Sequence, residues 1–203
     1  MENTVFLIGA SGHGKVVAEI LEESGINSII FLDDNLVTPQ ILEYSLIGSY
    51  KKELIKNGDS FIVTIGNNVI RKSVATKLNE NFMNAFHPRS IISRRAFFGR
   101  GTVIMGGVTV NVGVEIGNHV IINTNASIDH NCIIEDYVHI SPNVALAGDV
   151  HVGEGTHIGI GACVIQGVKI GKWCMIGAGT VVLKDVPDGA TLVGNPGRVI
   201  KLI

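Results

Sequence analysis

The sequence lacks a long apolar run, an excess of charge of either sign and more than three cysteines. No segment reaches the ~18 apolar residues of a membrane-spanning helix. The first residues are polar and lead into a strand, which argues against a signal peptide. The 16 basic residues face 18 acidic ones, so no basic surface predicts nucleic-acid binding. Few cysteines are typical of a reducing compartment. We therefore expect a cytoplasmic protein that binds neither membrane nor nucleic acid.

A six-residue repeat covers half of the chain. An aliphatic or aromatic residue occupies every sixth position from Ile92 to Val182, and we call this position slot one. Slot five, from Ala96 to Thr180, is always small or β-branched. Slots five and one point inward and slot six points outward, as successive residues of a strand do. The period is typical of a parallel β-helix with three hexads, about 18 residues, per coil. The repeat therefore predicts about five coils.

Strands alternate with helices before the repeat. The predicted strands are residues 4–9, 28–32 and 60–65, and the predicted helices run from about Val16 to Gly25 and from about Val69 to Asn79. Such alternation is typical of a parallel α/β sheet. We predict a small α/β domain at residues 1–86, followed by the β-helix and its C-terminal cap at residues 87–203. The cap, Leu183–Ile203, is expected to be a loop with a short helix or strand.

Glycines and polar residues follow the predicted strands, at the edge where parallel sheets bind ligands. They are Ser11, Gly12, His13, Gly14, Asp33, Asp34, Gly66, Asn67 and Asn68. Glycines let a phosphate approach the backbone amides of a helix N-terminus. A carboxylate after the second strand can accept hydrogen bonds from a ribose or a base. These features indicate a nucleotide site, although a tight turn followed by a solvated acidic loop is an alternative that the residues leave open.

Two of the seven histidines have informative places in the repeat. His130 occupies slot three, on an exposed turn, and His139 occupies slot six, facing outward. His157 follows 18 residues later and should stack on His139 at about 4.8 Å, which would lower their pKa values. No two histidines are five residues apart, the spacing of the zinc ligands in carbonic anhydrases built on such coils. We therefore expect no metal site.

Five further stretches carry a resemblance to a known family. They are Ala10–Gly14, Phe31–Asp34, Ile65–Asn68 with Arg71 and Lys72, Asp129–Cys132, and Val193–Arg198. Together with the repeat, they resemble the NeuD/PglD-type sugar O- and N-acetyltransferases over nearly the whole chain. The resemblance implies a homotrimer of left-handed β-helices, each with a small Rossmann-like domain, and active sites between adjacent subunits. Apolar outward residues such as Ile121 and Ile133 agree with a subunit interface.

The resemblance also assigns a donor, an acceptor and single residues. It implies acetyl-CoA as donor and a nucleotide-linked amino sugar as acceptor. His130 matches the general base, and His139 matches the histidine that contacts the acetyl thioester. His13 matches the loop histidine near the sugar nucleotide, and Asp33, Asp34 and Gly66-Asn67-Asn68 match the uridine-nucleotide pocket. The acetyl-CoA contacts are expected at His139, Gly148, Ile160, Gly161, Gly179 and Pro196. We include Asn131 in the catalytic set, although several relatives carry Glu or Asp there, and Asp129 is the candidate to replace that carboxylate.

The favoured function is direct N-acetylation of a UDP-linked 4-amino-deoxy sugar for bacterial glycan biosynthesis. O-acetylation of a sialic acid or another sugar is the nearest alternative, since His130 could serve either reaction. A trimeric scaffold that binds sugar nucleotides without catalysis is a third. A reductase that uses NAD is disfavoured by the short N-terminal domain. Covalent catalysis by Cys132 is disfavoured by its inward slot.

Overall fold

The computed structural model describes residues 3–34 and 38–202, so residues 1, 2, 35–37 and 203 of the two predicted domains lie outside the described residues. The N-terminal part is a five-stranded sheet with two α-helices. Its elements are β1 (Val5–Ile8), α1 (Gly12–Glu23), β2 (Ile29–Leu32), β3 (Gln40–Ile41), β4 (Tyr44–Ile47), a 3-10 helix (Lys52–Leu54), β5 (Ser60–Val63) and α2 (Asn68–Leu78). The strand order is β3-β4-β2-β1-β5, and only β3 is antiparallel to its neighbour. The predicted parallel sheet is confirmed, and the hairpin β3–β4 adds two strands at one edge.

The turn from β1 into α1 depends on two glycines. Gly9 has a φ of +111°, a conformation that L side chains rarely adopt. A Cβ on Gly14 would lie 2.5 Å from the carbonyl oxygen of Gly9 and 3.1 Å from the ring of Phe31, so α1 begins in direct contact with the sheet. The N-cap residue Ser11 therefore lies just beyond the carboxyl end of β1.

From Ala85 onward the chain forms a parallel β-helix with three sheets of short strands. Sheet I contains β6 (Ala85–Phe86), β9 (Val103–Ile104), β12 (Ile121–Ile122), β15 (His139–Ile140), β18 (His157–Ile158), β21 (Met175–Ile176), β23 (Thr191–Val193) and β24 (Arg198–Lys201). Sheet II contains β7 (Ile91–Ile92), β10 (Thr109–Val110), β13 (Ser127–Ile128), β16 (Ala145–Leu146), β19 (Cys163–Val164) and β22 (Val181–Val182). Sheet III contains β8 (Phe97–Phe98), β11 (Glu115–Ile116), β14 (Ile133–Ile134), β17 (His151–Val152) and β20 (Lys169–Ile170).

The solenoid extends beyond the repeat at both ends. β6 pairs with β9 before the first hexad, and β23 pairs with β21 after the last one. β24 then runs antiparallel to β23, so the cap is a pair of strands and contains no helix among the described residues. The repeat alone therefore underestimates the length of the solenoid, because the sequence of the added strands departs from the hexad pattern.

The inward slots form one continuous apolar core. From Thr102 to Val182 every residue of slots one and five is at most 5% exposed. Ile92 and Phe98 are only half-buried, because they lie in the first coil, and the ring of Phe98 contacts that of Phe86. Burial of this column of mostly apolar side chains is the main stabilising contribution to the coil.

The outer face of sheet I is covered by the N-terminal domain. Val103 and Ile121 are each 1% exposed and share a hydrophobic cluster with Val17 and Leu21 of α1. Ile121 is therefore not available to a subunit interface, contrary to our expectation, because its apolar side chain packs against the chain's own α1. Ile133, on sheet III, is 43% exposed.

Polar side chains of α2 also fix the two parts together. Arg71 is 1% exposed and donates from Nε to the carbonyl oxygen of His119 at 2.9 Å and from Nη2 to that of Tyr137 at 2.8 Å. The Asn68 amide donates to the carbonyl oxygen of Gly155 at 2.9 Å. Beside them, Lys72 forms an ion pair with Glu154. None of the helices in the described part of the chain is long and apolar enough to cross a membrane.

Candidate functional site

A pocket of about 630 Å3 opens at the carboxyl ends of β1, β2 and β5. Four of the predicted ligand-binding residues line it, namely Ser11, Asp33, Asp34 and Gly66. Sequence reasoning missed other residues of its wall, among them Ser49, Tyr50, Ile70 and Lys77. The pocket therefore joins polar groups near the strand ends to the apolar face of α2.

The two carboxylates of the pocket have different surroundings. Asp33 Oδ2 accepts a hydrogen bond from the backbone N–H of Ala10 at 2.8 Å, so it holds the Gly-rich loop against β2. Asp34 is exposed, and its Oδ1 accepts from the Ser49 hydroxyl at 2.6 Å. A Cβ on Gly12 or Gly66 would meet nothing within 4 Å, so both glycines border open space. A ligand can therefore approach the backbone on this side of the sheet.

The other predicted residues of this region lie outside the pocket wall. Gly14 is buried, and a Cβ there would collide with the carbonyl oxygen of Gly9. Asn67 is the N-cap of α2 and accepts from the backbone N–H of Ile70 at 3.0 Å. The side chain of Asn68 is occupied by its hydrogen bonds to the β-helix and to Arg71. Asn67 and Asn68 thus support the pocket through α2.

Three histidines meet between the N-terminal domain and sheet I. The rings of His139 and His157 stack with centroids 4.6 Å apart and planes within 6°, as predicted from the coil length. Burial lowers the pKa of His139 to about 3, and the charges of His157, Arg71 and His13 act in the same direction. Burial lowers the pKa of His13 to about 4, with Arg71 adding to it. The pKa of His157 is lowered by the same two causes.

The histidine cluster is therefore neutral at neutral pH and suited to hydrogen bonding. His157 Nε2 lies 2.8 Å from the hydroxyl of Ser141, and His139 Nε2 lies 3.4 Å from the amide nitrogen of Asn123. Within residues 3–34 and 38–202, His139 Nδ1 has no hydrogen-bond partner at normal geometry. The nearby Gly66 backbone nevertheless acts on the ring and partly opposes the lowering of the pKa of His139. Gly66 thus connects the pocket to the cluster.

His130 lies on the exposed turn between sheets II and III. Its side chain is 49% exposed, and its backbone N–H donates to Asp129 Oδ1 at 2.7 Å. A Cβ on Gly148 would lie 2.4 Å from His130 Cε1 and 2.5 Å from Nε2, so the ring rests on the backbone of the next coil. Gly148, predicted to contact acetyl-CoA, is the surface on which the ring of His130 packs.

Two side chains surround Nδ1 of His130. The amide nitrogen of Asn131 lies 3.3 Å from Nδ1, and Asp149 Oδ2 lies 4.0 Å from it. Asn131 also donates to Asp149 Oδ1 at 3.3 Å. Sequence reasoning missed Asp149, although it stands one coil length after Asn131 and the 18-residue period could have found it.

Apart from Gly148, the predicted donor residues lie away from the corner that carries His130. Ile160, Gly161 and Gly179 belong to the turns between sheets I and II, where Gly179 N–H donates to the carbonyl oxygen of Ile160 at 2.8 Å. These three residues and Pro196 are exposed. His130 lies on the corner between sheets II and III, across the triangular coil from the sheet I face that carries His139. One chain therefore does not bring His130 and His139 into a common site.

Other chemistries have less support in the geometry. Burial raises the pKa of the Cys132 thiol to about 11, which disfavours a thiolate nucleophile. No cluster of three or more His, Cys, Asp or Glu side chains that could hold a metal ion is found within residues 3–34 and 38–202.

Comparison with known proteins agrees with both parts of the fold. Residues 4–78 match the family described as the PglD N-terminal domain, and residues 113–148 and 149–184 match the bacterial transferase hexapeptide (six repeats). The acetyltransferase domain of PglB from Neisseria gonorrhoeae, solved with acetyl coenzyme A, is 34% identical with a TM-score of 0.91, over 98% of this chain and 100% of that chain.

A second solved relative carries both ligands of a transfer reaction. It is a mutant of perosamine N-acetyltransferase from Caulobacter crescentus in complex with CoA and GDP-perosamine, with 33% identity and a TM-score of 0.92, over 99% of this chain and 98% of that chain. UDP-N-acetylbacillosamine N-acetyltransferase of Bacillus subtilis is 39% identical over 110 residues, 50% of this chain and 50% of its own length. The chain spans about half the length of the curated relatives that head this comparison.

The whole-length matches join the N-terminal sheet and the hexapeptide coil in the same order as here. The chain belongs to the NeuD/PglD-type sugar acetyltransferases.

Proposed function

We propose that the protein transfers an acetyl group from acetyl-CoA to the amine of a nucleotide-linked amino sugar, with His130 as general base. The observation that carries this proposal is the His130 ring, which packs on Gly148 and whose side chain is 49% exposed on a turn of the coil. The ligands named for the relatives from N. gonorrhoeae and C. crescentus support the donor and the acceptor class.

In the proposed reaction the amine nitrogen attacks the thioester carbonyl carbon. Nε2 of His130 takes the proton that the amine loses, and the carbon–sulfur bond breaks as the tetrahedral intermediate collapses. The imidazolium then gives its proton to the departing thiolate, which leaves as the free thiol of CoA. A histidine suits this exchange because its unperturbed pKa is near 6.5.

The pocket at the strand ends is proposed to hold the nucleotide. Asp34 and the open backbone at Gly66 line it, so the base or ribose can be recognised there. The sugar would extend past Gly66 toward His13 and His139. We propose a UDP-linked sugar as the first acceptor to test and a GDP-linked sugar as the comparison, because the names of two relatives include one of each.

The complete site is proposed to form between subunits of a homotrimer. His139 lies on the sheet I face and His130 on the opposite corner, so a neighbour would supply the second histidine. His139, neutral at working pH, would hydrogen-bond the thioester oxygen. Ile160, Gly161, Gly179 and Pro196 would line the groove for the pantetheine and adenosine of the donor.

His130→Ala tests the proposal. We expect kcat to fall by about a hundredfold or more, measured as thiol release with a UDP-linked and a GDP-linked 4-amino sugar. His87→Ala is the matched control, because His87 lies at the start of the coil, where Arg89 N–H donates to its ring. A variant lacking His130 with a rate near that of the wild type would contradict the proposal. Faster turnover of a hydroxyl acceptor would favour O-acetylation instead.

A further inference from the structure

One carboxylate beside His130 is not used in the proposed reaction. Asp149 stands one coil above Asn131, and its Oδ2 lies 4.0 Å from His130 Nδ1. Its backbone N–H donates to the carbonyl oxygen of His130 at 2.9 Å. The same residue therefore contacts the backbone of His130 and faces the ring.

The other nearby carboxylate is directed elsewhere. Asp129 Oδ1 accepts from the backbone N–H of His130 at 2.7 Å and from the amide of Asn111 at 2.8 Å. The hydrogen bond from Asn111 and that from the backbone N–H of His130 lower the pKa of Asp129. Asp129 and Asp149 are the charged groups that the described residues place against His130. Of the two, Asp149 forms the ion-pair contact with the ring.

The identity of the group next to Nδ1 decides which nitrogen can act as a base. Nε2 can take a proton only if the hydrogen of the neutral ring is on Nδ1. An Asn131 amide that donates to Nδ1 would favour the wrong tautomer. A carboxylate only accepts, so Asp149 favours hydrogen on Nδ1 and stabilises the imidazolium that forms. Asp149 also accepts a hydrogen bond from the Asn131 amide at 3.3 Å, so the two side chains are linked beside the ring.

We infer that Asp149 is a positioning residue for His130 and supplies, from the next coil, the carboxylate that Asn131 lacks. This inference rests on the proposed function, in which His130 takes the proton at Nε2. His130 contacts the substrate, and Asp149 acts only through the His130 ring. The separation of 4.0 Å is a charge contact between the carboxylate and the ring.

Asp149→Asn tests the inference, because Asn tolerates the φ of +59° at this position. We expect kcat to fall by roughly threefold to tenfold with KM for acetyl-CoA unchanged, since partly exposed charge pairs have modest effects. The acid limb of the pH profile of kcat/KM should move to lower pH, because loss of the carboxylate favours the neutral ring.

Relocating the carboxylate supplies the decisive comparison. The double variant Asn131→Asp with Asp149→Asn should regain most of the wild-type kcat and acid limb, because position 131 also adjoins Nδ1. Asp129→Asn is the matched control, because it also removes one negative charge. The acid limb of its kcat/KM profile should move by less than half as much as in Asp149→Asn. Thermal melting of each variant, followed by circular dichroism, separates loss of the coil from loss of function.

The possible outcomes separate this inference from the proposed function. A wild-type rate and pH profile for Asp149→Asn would overturn it, as would a loss that Asn131→Asp does not relieve. An effect confined to KM for acetyl-CoA would also overturn it, since that pattern indicates lost binding. If His130→Ala retains a near wild-type rate, the proposed function itself fails, whatever Asp149→Asn does.

Discussion

Replacing Arg71 should weaken the junction between the N-terminal domain and the coil more than any other change in α2. Its guanidinium donates to the carbonyl oxygens of Ile65 at 3.0 Å and Gly66 at 3.1 Å, on the domain side. On the coil side it donates to His119 at 2.9 Å and Tyr137 at 2.8 Å. Burial lowers its pKa to about 10, so the group remains charged at neutral pH.

Arg71→Met keeps the length of the side chain and removes all of its donors. The acceptors, which are buried or part-buried, then lose this donor. The loss costs about 1–3 kcal/mol for a fully buried neutral group, and such losses are not additive. Breaking a buried charged network typically costs about 3–5 kcal/mol. At about 2–4 °C per kcal/mol for a chain of this size, we expect Tm to fall by roughly 10 °C in differential scanning calorimetry.

Lys72→Met is the matched control for Arg71→Met. Lys72 is the next residue of α2, but its side chain is 42% exposed. Its ion pair with Glu154, and its position 5.2 Å from the Trp173 ring centroid, should contribute about 1 kcal/mol or less. Tm should therefore change by about 4 °C at most. Equal Tm changes in the two variants would refute the argument that buried backbone carbonyls make Arg71 the principal polar link.

Two further predictions concern acid stability and the support of His130. Burial lowers the pKa of His119 to about 4. Below about pH 6.5 the unfolded chain therefore binds a proton at His119 that the folded chain does not bind. Stability is lost as the pH falls from there toward 4. His119→Asn, which suits the φ of +53°, should reduce the loss between pH 7 and 5 by up to about 2 kcal/mol in urea titrations, and an unchanged pH dependence would contradict this. Gly148→Ala should displace the His130 ring and lower kcat by about tenfold or more. Gly106→Ala, whose Cβ would lie 3.3 Å from His87, is its control, and equal rates would show that the ring needs no support from Gly148.

The regular part of the fold could be predicted because its signal is local and repeated. Each hexad specifies which side chains point inward, so the stacking of His139 on His157 followed from their spacing alone. The position of His130 on an exposed turn followed in the same way. Strands β23 and β24 could not be predicted in detail, because they pair with the coil after the repeat has ended.

Contacts between distant parts of the chain were beyond the sequence pattern. Ile121 carries the same outward slot as Ile133, yet one is buried under α1 and the other is exposed. Asn68 follows a strand, as a ligand-binding residue should, but its amide is directed to Gly155, 87 residues away. Only the docking of the domain on sheet I decides both outcomes. The pocket residues Tyr50 and Lys77 were missed for another reason, since neither belongs to a recognisable motif.

The coil length has a consequence for how relatives of this protein are compared. Positions 18 residues apart, such as Asn131 and Asp149, are vertical neighbours around one axis and face the same patch of solvent. A functional group can therefore move by 18 positions in the sequence during evolution, which is one whole coil, and still reach the same reactant. Alignments that compare homologues column by column would score such an exchange as a loss at one site and an unrelated gain at another. For solenoid enzymes, columns one coil apart should be read together.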